Sequence, residues 1–391
     1  MGAVAMSAFV ESEERLALRK AVGDLGRKYG ESYFYAAARE GRKAVELWNE
    51  AAKLGYLGVS IPQEYGGGGG DIGDLAAVLE ELAAAGCPLL MLVVSPAIVG
   101  TVISRFGTEE QKRRWLPAIA GGSAKYAFGL TEPDAGSNSH QISTRARRDG
   151  DDWILTGTKT YISGVDEAGH VLIVGRTEDA RTGKLKPALF MVPTDAPGFT
   201  SREIGMGLVS PEKQFTLFLD EVRLPADALV GSADAGLGQL FTGLNPERIM
   251  VAASAIGIAR WALAKAVEYA RQRTVWSAPI GSHQAIAHPL AKLHIEIEAA
   301  RLLTQKAAAL YAAGDLLAAG EAANMAKYSG AEAACDAVDQ AIQTHGGNGL
   351  AEEYGLVQAL ASSRLSRIAP ISREMVLNFI AHSALGLPRS Y

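Results

Sequence analysis

The segment YAFGLTEPDAGSNS, residues 126–139, marks where the chain changes character. It combines small residues, hydroxyls and a Pro-Asp turn. A loop of that kind lets backbone N–H groups come close to an anionic or carbonyl-rich ligand. Beyond it lie WILTGTKTYI (153–162), HVLIVGR (170–176), ALFMVP (188–193) and QFTLFLDEV (214–222). These are short runs rich in β-branched and aromatic residues, the composition of strands. Asp149-Gly150 stands between STRARR and WILTGTKTYI, which is a hairpin signal.

On either side of this zone the periodicity is helical. Glu13–Tyr29, Ala44–Leu54 and Asp74–Ala85 mix apolar and charged residues at helical spacing. From Gly236 onward Ala252–Arg273, Leu290–Ala313 and Ala319–His345 are long, alanine-rich and free of internal proline. The order helices, strands, helices predicts an α+β protein. The expected units are an N-terminal helical domain (1–125), a central β domain (126–232) and a C-terminal helical domain (233–391).

Composition narrows the function classes. The 391 residues are 48% hydrophobic and 21% charged, which excludes a disordered or fibrous chain. Glycine is the outlier, with 43 residues, roughly 11% against a usual ~7%. The balance of 38 basic to 43 acidic residues, without a basic block, gives no nucleic-acid footprint. Cys87 and Cys335 have no CxxC spacing, so neither a disulfide framework nor a zinc site is expected. The opening MGAVAMSAFVESEERLALRK turns acidic at once and does not read as a signal peptide; Met6 stands where a myristoylation signal needs Ser or Thr. CPLLMLVVSPAIVGTVISRF (87–106) has the length of a membrane span, but Pro88 and Pro96 interrupt it. A buried helix pair in a soluble core is the expectation, with no membrane span.

Several motifs carry no chemistry. Gly68, Gly70 and Gly73 form a formal GxGxxG, but Pro62–Tyr65 separates it from any strand. No acidic residue follows between Glu81 and Glu109, so a dinucleotide fingerprint is not met and a flexible connector is expected. His283 and His288 lack a carboxylate partner at metal-ligand spacing, so no metal site is expected. There is no GxSxG elbow, and no His–Asp pair is placed near Ser137–Ser139, which disfavours a serine hydrolase.

Taken in order, four segments resemble the acyl-CoA dehydrogenase family. GLTEPDAGSN is similar to its first signature and WILTGTKTYISG (153–164) to the strand pair that follows. RQRTVWSAPIGSHQAI (271–286) resembles its R-x-x-F-G…H-Q segment, and QTHGGNGLAEEY (343–354) its Q-x-x-G-G-N-G segment. The resemblance implies a central β-barrel or sheet domain, a C-terminal four-helix bundle, FAD, an acyl-CoA thioester substrate and a place in fatty acid metabolism. The family reaction is α,β-dehydrogenation: a glutamate removes the α-proton and the β-hydrogen passes as hydride to flavin N5. Carried over by position, Phe128, Leu130 and Thr131 line the isoalloxazine, Tyr161 sits against the ring and Ser163 bonds near N5. Gly136 and Ser137 approach the FAD pyrophosphate and the CoA arm. Arg273, Trp276 and Gln284 resemble residues that hold FAD from a neighbouring subunit; guanidinium geometry suits phosphate. Gln343, Gly346 and Gly347 resemble partners of the adenine–pyrophosphate half, although a glycine-capped helix end fits the same residues. Ser372 and Glu374 fall where the family often contacts FAD.

Two smaller departures are Asn138, where the signature ends in aspartate but a capping side chain is kept, and Ser277 in place of a glycine. The larger one is Pro370, which occupies the place of the usual catalytic glutamate, about 22 residues after the asparagine of GGNG. Proline can neither abstract a proton nor donate the backbone N–H that helps hold the thioester oxygen. The isovaleryl and long-chain branches of the family carry the base on an earlier helix, just before an arginine. LNPERIMVAA (244–253) matches, with Glu247 before Arg248. Asn245 is expected as N-cap and Pro246 as the first helical residue, which puts Glu247 in the first turn. There the helix dipole and Arg248 would lower its pKa and burial would raise it; burial must win for a base. A plain capping carboxylate also fits that position. Asn245, Arg248 and Ser137 are the expected substrate contacts, and Glu353 and Glu374 are weaker base candidates. The reading is an acyl-CoA dehydrogenase delivering electrons to an electron-transfer flavoprotein or similar carrier. An acyl-CoA oxidase, a flavin monooxygenase and a non-catalytic acyl-CoA or flavin-binding protein remain alternatives. A homotetramer (a dimer of dimers) in the cytoplasm follows from the resemblance, and the alanine-rich C-terminal helices suit tight packing.

Overall fold

Residues 11–179, 182–233 and 236–389 are described by a computed structural model. The reading of residues 1–10 lies outside them. Helix α1 (Glu13–Arg39) starts at Ser12, whose hydroxyl accepts from the Arg15 amide, and continues past the expected end through a kink at Gly30, where φ is 70°. Helices α2 (Val45–Lys53) and α3 (Ile72–Ala84) follow, the latter fixed by a reciprocal capping box between Asp71 and Asp74. The glycine run before α3 is not a flexible connector. The amides of Gly68, Gly69 and Gly70 donate to the carbonyls of Gly58, Ile61 and Val59 at 2.9, 2.9 and 2.8 Å. A Cβ on Gly67 would lie 2.1 Å from the Ile61 carbonyl oxygen. These glycines serve close backbone packing, and their N–H groups are already engaged.

The stretch expected as a buried helix pair is instead one unbroken helical run. A π-helix, Val93–Gly100, passes through Pro96 into α4 (Thr101–Phe106), and every residue of the π-helix is buried. A π-turn absorbs the proline because it rearranges the hydrogen bonding that a missing N–H would interrupt. Helix α5 (Glu109–Ala120) closes this layer.

The strands form one eight-stranded sheet: β1 Tyr126–Gly129, β2 Arg145–Asp149, β3 Asp152–Ser163, β4 His170–Glu178, β5 Leu185–Pro193, β6 Phe199–Ile204, β7 Gln214–Leu224 and β8 Leu229–Val230. Its order is β6-β7-β3-β2-β4-β5-β8, with β1 parallel to β4. The Asp-Gly hairpin is present: Asp149 pairs with Asp152, and Gly150 has φ 65°. Inward residues such as Leu155, Val171, Phe190 and Leu217 form the sheet's own core.

Three long helices, α6 (Gly236–Gln272), α7 (Gln284–Ala312) and α8 (Leu316–His345), make the C-terminal bundle, with α9 (Ala359–Ile368) packed against α8. A short hairpin, β9 Thr274–Val275 and β10 Ala278–Pro279, joins α6 to α7, and α10 (Arg373–Phe379) follows α9. Helix α7 begins six residues before the expected Leu290 and contains Pro289. Glycine lets α6 cross α3 closely; a Cβ on Gly257 would lie 2.4 Å from the Glu80 carbonyl oxygen. Gly243–Gln272 is the one described helix long and apolar enough to cross a membrane, and 72% of its most apolar window is buried within the protein.

Candidate active site

The loop after β1 is held from beneath by a buried ion pair. Glu132 is 4% exposed and accepts from the amides of Ser143 and Thr144 at 2.5 and 2.9 Å, and from their hydroxyls at 2.7 and 2.6 Å. Lys159, 0% exposed on β3, donates to Glu132 at 2.8 Å and to the Leu130 carbonyl at 3.0 Å. Burial pushes the Glu132 carboxyl up, but the hydrogen bonds from Lys159 and Thr144 outweigh it and hold it at about 2. Burial lowers the Lys159 ammonium to about 8 against the pull of Glu132. Both stay charged at neutral pH. The Thr131 carbonyl accepts from the Thr160 amide at 2.9 Å. Phe128, Leu130 and Thr131 are thus placed by a rigid base that the sequence analysis did not single out. Its signal was a glutamate inside GLTEPDAGSN and a lysine at an inward position of an apolar strand.

Tyr161 and Ser163 lie on the same strand. A register shift against β7 between Lys159 and Ile162 turns Tyr161 outward, with φ 57° and 60% exposure. A non-glycine residue held there costs about 1 kcal/mol or more, which its surroundings must offset. Ser163 accepts from the Gln214 amide at 2.9 Å. Gly136 and Ser137 are exposed, and nothing lies within 4 Å of where a Cβ on Gly136 would stand. Asn138 makes no side-chain cap, so the capping role expected for it fails.

Glu247 is not in a first turn. Helix α6 starts at Gly236 and runs through Pro246, so Asn245 is no N-cap and the helix dipole offers Glu247 nothing. Nor does the carboxylate serve as a cap; among the described residues it makes no hydrogen bond or ion pair. Asn245 instead donates to the Leu316 carbonyl at 3.3 Å and accepts from Arg248 at 3.4 Å. Burial pushes the Glu247 carboxyl up to about 7, with Arg248 opposing. Burial therefore wins before any substrate binds. Burial likewise lowers Arg248, whose Nε is buried without a partner while its Nη1 donates to the Leu244 carbonyl at 3.0 Å.

The residues flanking Glu247 meet the loop after β1 in two apolar clusters. Leu244 shares one with Phe128 and Leu130; Ile249 and Met250 share another with Phe128. The remaining candidates divide. Arg273 follows the end of α6, 26 residues beyond Glu247, which is roughly 39 Å along the helix axis. Trp276, 88% exposed, and Gln284 sit on the hairpin and at the start of α7 beside it. Gln343, Gly346 and Gly347 end α8 at that same far end: His345 stacks on Tyr269 with centroids 4.2 Å apart, and Asn348 donates to Tyr269 and Tyr354 at 3.1 Å each. Gly346 needs its φ of 59° to end the helix, yet nothing lies within 4 Å of a Cβ built there or on Gly347. One chain therefore carries two groups of candidates, at opposite ends of its helical bundle. Ser372 caps α10, accepting from the Met375 amide at 3.3 Å, while Glu374 is exposed and pairs with Arg373 at 3.5 Å. Glu353 is exposed. Both are more exposed than Glu247, which is half-buried.

The unfilled space at Gly136, Gly346 and Gly347, with exposed Tyr161 and Arg273, suits a large planar and anionic ligand such as FAD.

Comparison with known proteins shows the family. Residues 12–123 match the acyl-CoA dehydrogenase N-terminal domain, 127–220 its middle domain and 234–385 its C-terminal domain. The chain is 63% identical over 385 residues to acyl-CoA dehydrogenase FadE12 of Mycobacterium tuberculosis, covering 98% of this chain and 99% of the relative. Among solved structures, butyryl-CoA dehydrogenase from Megasphaera elsdenii superposes with TM-score 0.90 at 30% identity, covering 96% and 99% of the two chains. Glutaryl-CoA dehydrogenase from Mycobacterium smegmatis in complex with FADH2 gives 0.88 at 29% identity, with 97% of each chain covered. From Glu13 to the end of the helical bundle, then, this chain belongs to the acyl-CoA dehydrogenase family.

Proposed function

We propose that this chain carries out FAD-dependent α,β-dehydrogenation of an acyl-CoA thioester with Glu247 as the base. The observation that carries the reading is a carboxyl raised to about 7 by burial and without a partner among the described residues, in a chain whose usual base position is Pro370. A base poised near the operating pH combines a useful ionised fraction with adequate proton affinity. Glu247 takes the proton from the α-carbon. Arg248, with a buried unpaired Nε, and Asn245 hold the substrate beside it, and Ser137 meets the CoA arm. Bound FAD supplies the acceptor for the β-hydrogen, which leaves as hydride. Phe128, Leu130, Thr131, Tyr161 and Ser163 hold the ring half, with Gly136 and Ser137 along the pyrophosphate. Arg273, Trp276, Gln284, Gln343, Gly346 and Gly347 hold the other half from a neighbouring subunit, and Ser372 and Glu374 complete the contacts.

The wide separation of the two groups along α6 supports an assembly in which one subunit's far end completes another's site; the assembly we favour is a homotetramer. An open groove lined by Leu263, Val267, Ala270 and Leu290 offers a surface for it. The electron acceptor is an electron-transfer flavoprotein or a similar carrier, and the protein works in the cytoplasm.

The test is anaerobic addition of acyl-CoA thioesters of varied length and branching to FAD-loaded protein. Bleaching of the flavin's visible absorption is expected with at least one, and Glu247→Gln is expected to abolish it with FAD retained. Full bleaching by that variant would remove Glu247 from the role.

A further inference from the structure

Helix α8 carries a buried cation, Lys327, that proton removal leaves without a role. Lys327 is 0% exposed, yet among the described residues its ammonium makes one hydrogen bond, 2.5 Å to the carbonyl of Ile371. Burying a cation with three donors and one acceptor is costly. Burial lowers its pKa to about 8, nearby Arg248 pushes the same way, and Glu332 and Glu374 oppose them. Lys327 thus sits between two places that matter for the base. Arg248 directly follows Glu247, and Ile371 directly follows Pro370.

The same helix grips that second segment at both ends. Ala369–Ser372 runs between α9 and α10 without helical structure. Glu332, five residues after Lys327, pairs with Arg367 before the segment at 2.8 Å and with Arg373 after it at 3.4 Å. Asp336 adds a contact to Arg367 at 3.1 Å. Proline supplies neither a proton acceptor nor an N–H here, so the segment's contribution to the site is its shape and position. For stability alone, an apolar side chain would fill the place of Lys327 at less cost.

We propose that Lys327 is a positioning residue of the dehydrogenation site: by holding the Ile371 carbonyl it fixes the Ala369–Ser372 segment relative to the α6 turn that carries Glu247, and so aligns the acyl α-carbon with the base. The proposal rests on Glu247 being that base.

The test compares Lys327→Met, Lys327→Arg, Glu332→Gln and Glu247→Gln in the FAD-loaded full-length protein. Rates are measured with butyryl-, octanoyl- and isovaleryl-CoA and a one-electron dye as acceptor. FAD content and thermal midpoint are read on the same samples. Lys327→Met is expected to keep FAD and fold while kcat falls about 10-fold or more, since small misplacements of reacting groups are that costly. KM for the best thioester should change less than about 3-fold, marking an interaction used in the transition state. Lys327→Arg, which keeps a charged donor, should regain most of the rate. A kcat within about 2-fold of wild type in Lys327→Met, or a loss that only tracks lost FAD, overturns the proposal. If that variant does not fold, Glu332→Gln decides: a kcat loss of about 3-fold or more at full FAD content supports it, and an unchanged kcat overturns it. Full activity in Glu247→Gln brings down the base assignment itself. Inactive Glu247→Gln beside wild-type rates in the α8 variants brings down only the role of Lys327.

Discussion

Replacing Lys159 by methionine tests the buried base of the loop after β1. Glu132 moves from 4.5 to about 2 on folding, which contributes about 3 kcal/mol. Lys159 moves the other way, from 10.5 to about 8, and gives back a similar amount, about 3 kcal/mol. The intact pair therefore adds little net stability, as is common for buried ion pairs. Breaking it is another matter. Lys159→Met strands a carboxylate that keeps its donors from Ser143 and Thr144 but has no countercharge, at a cost of about 3–5 kcal/mol. The Leu130 carbonyl also loses its donor, adding about 1 kcal/mol. Adding Glu132→Gln removes the stranded charge and should recover about 2 kcal/mol or more. Urea unfolding of the three proteins, followed by tryptophan fluorescence, measures this. Acid titration gives the sign: the Glu132 contribution is full above about pH 4.5 and is lost as pH falls towards about 2, so wild type should lose stability across that window more steeply than the double variant. The reasoning fails if Lys159→Met costs less than about 1 kcal/mol, or if the double variant is no more stable than the single one.

Three further outcomes follow from single positions. Trp276 and Ser277 form the two-residue turn between Val275 and Ala278 with φ 49° and 73°. Ser277→Gly should therefore stabilise the chain by up to about 1 kcal/mol, read as a higher unfolding midpoint. Gly257→Ala would put a methyl 2.4 Å from the Glu80 carbonyl oxygen. That should cost about 3 kcal/mol in urea unfolding, the upper range for overpacking. Arg273→Ala should lower FAD retained per chain after gel filtration without changing the circular dichroism of the protein; undiminished FAD would remove Arg273 from the cofactor site.

Much of the fold was legible because the chain switches cleanly between two periodicities. Short runs rich in β-branched and aromatic residues in WILTGTKTYI and HVLIVGR, and alanine-rich helical runs after Gly236, both form the elements their composition implies. Boundaries failed where proline was read as a stop. Pro96, Pro246 and Pro289 all lie inside helices, because tertiary packing outweighs the loss of one backbone hydrogen bond. That error put Glu247 at a helix start and gave it a dipole it does not feel; the side chain was singled out in sequence only for its place beside Arg248. The glycine cluster 66–70 misled differently: its conformations looked free in sequence, but contacts with residues 58–61 fix them. Lys327 was invisible as a site residue because nothing local distinguishes a buried lysine on a helix from a surface one, and the inward place of Lys159 on its strand was a signal that went unused. Their roles come from partners distant in sequence, Glu132 and Ile371.

The most direct measurement is exchange of the α-hydrogens of an acyl-CoA in D2O, followed by NMR with FAD-loaded protein across pH 5 to 9. Wild type should exchange the α-position with a rate that rises through about pH 7, the range to which burial raises Glu247, and Glu247→Gln should abolish exchange with FAD still bound. Exchange at the wild-type rate in Glu247→Gln would contradict the account, because proton removal would then belong to another group.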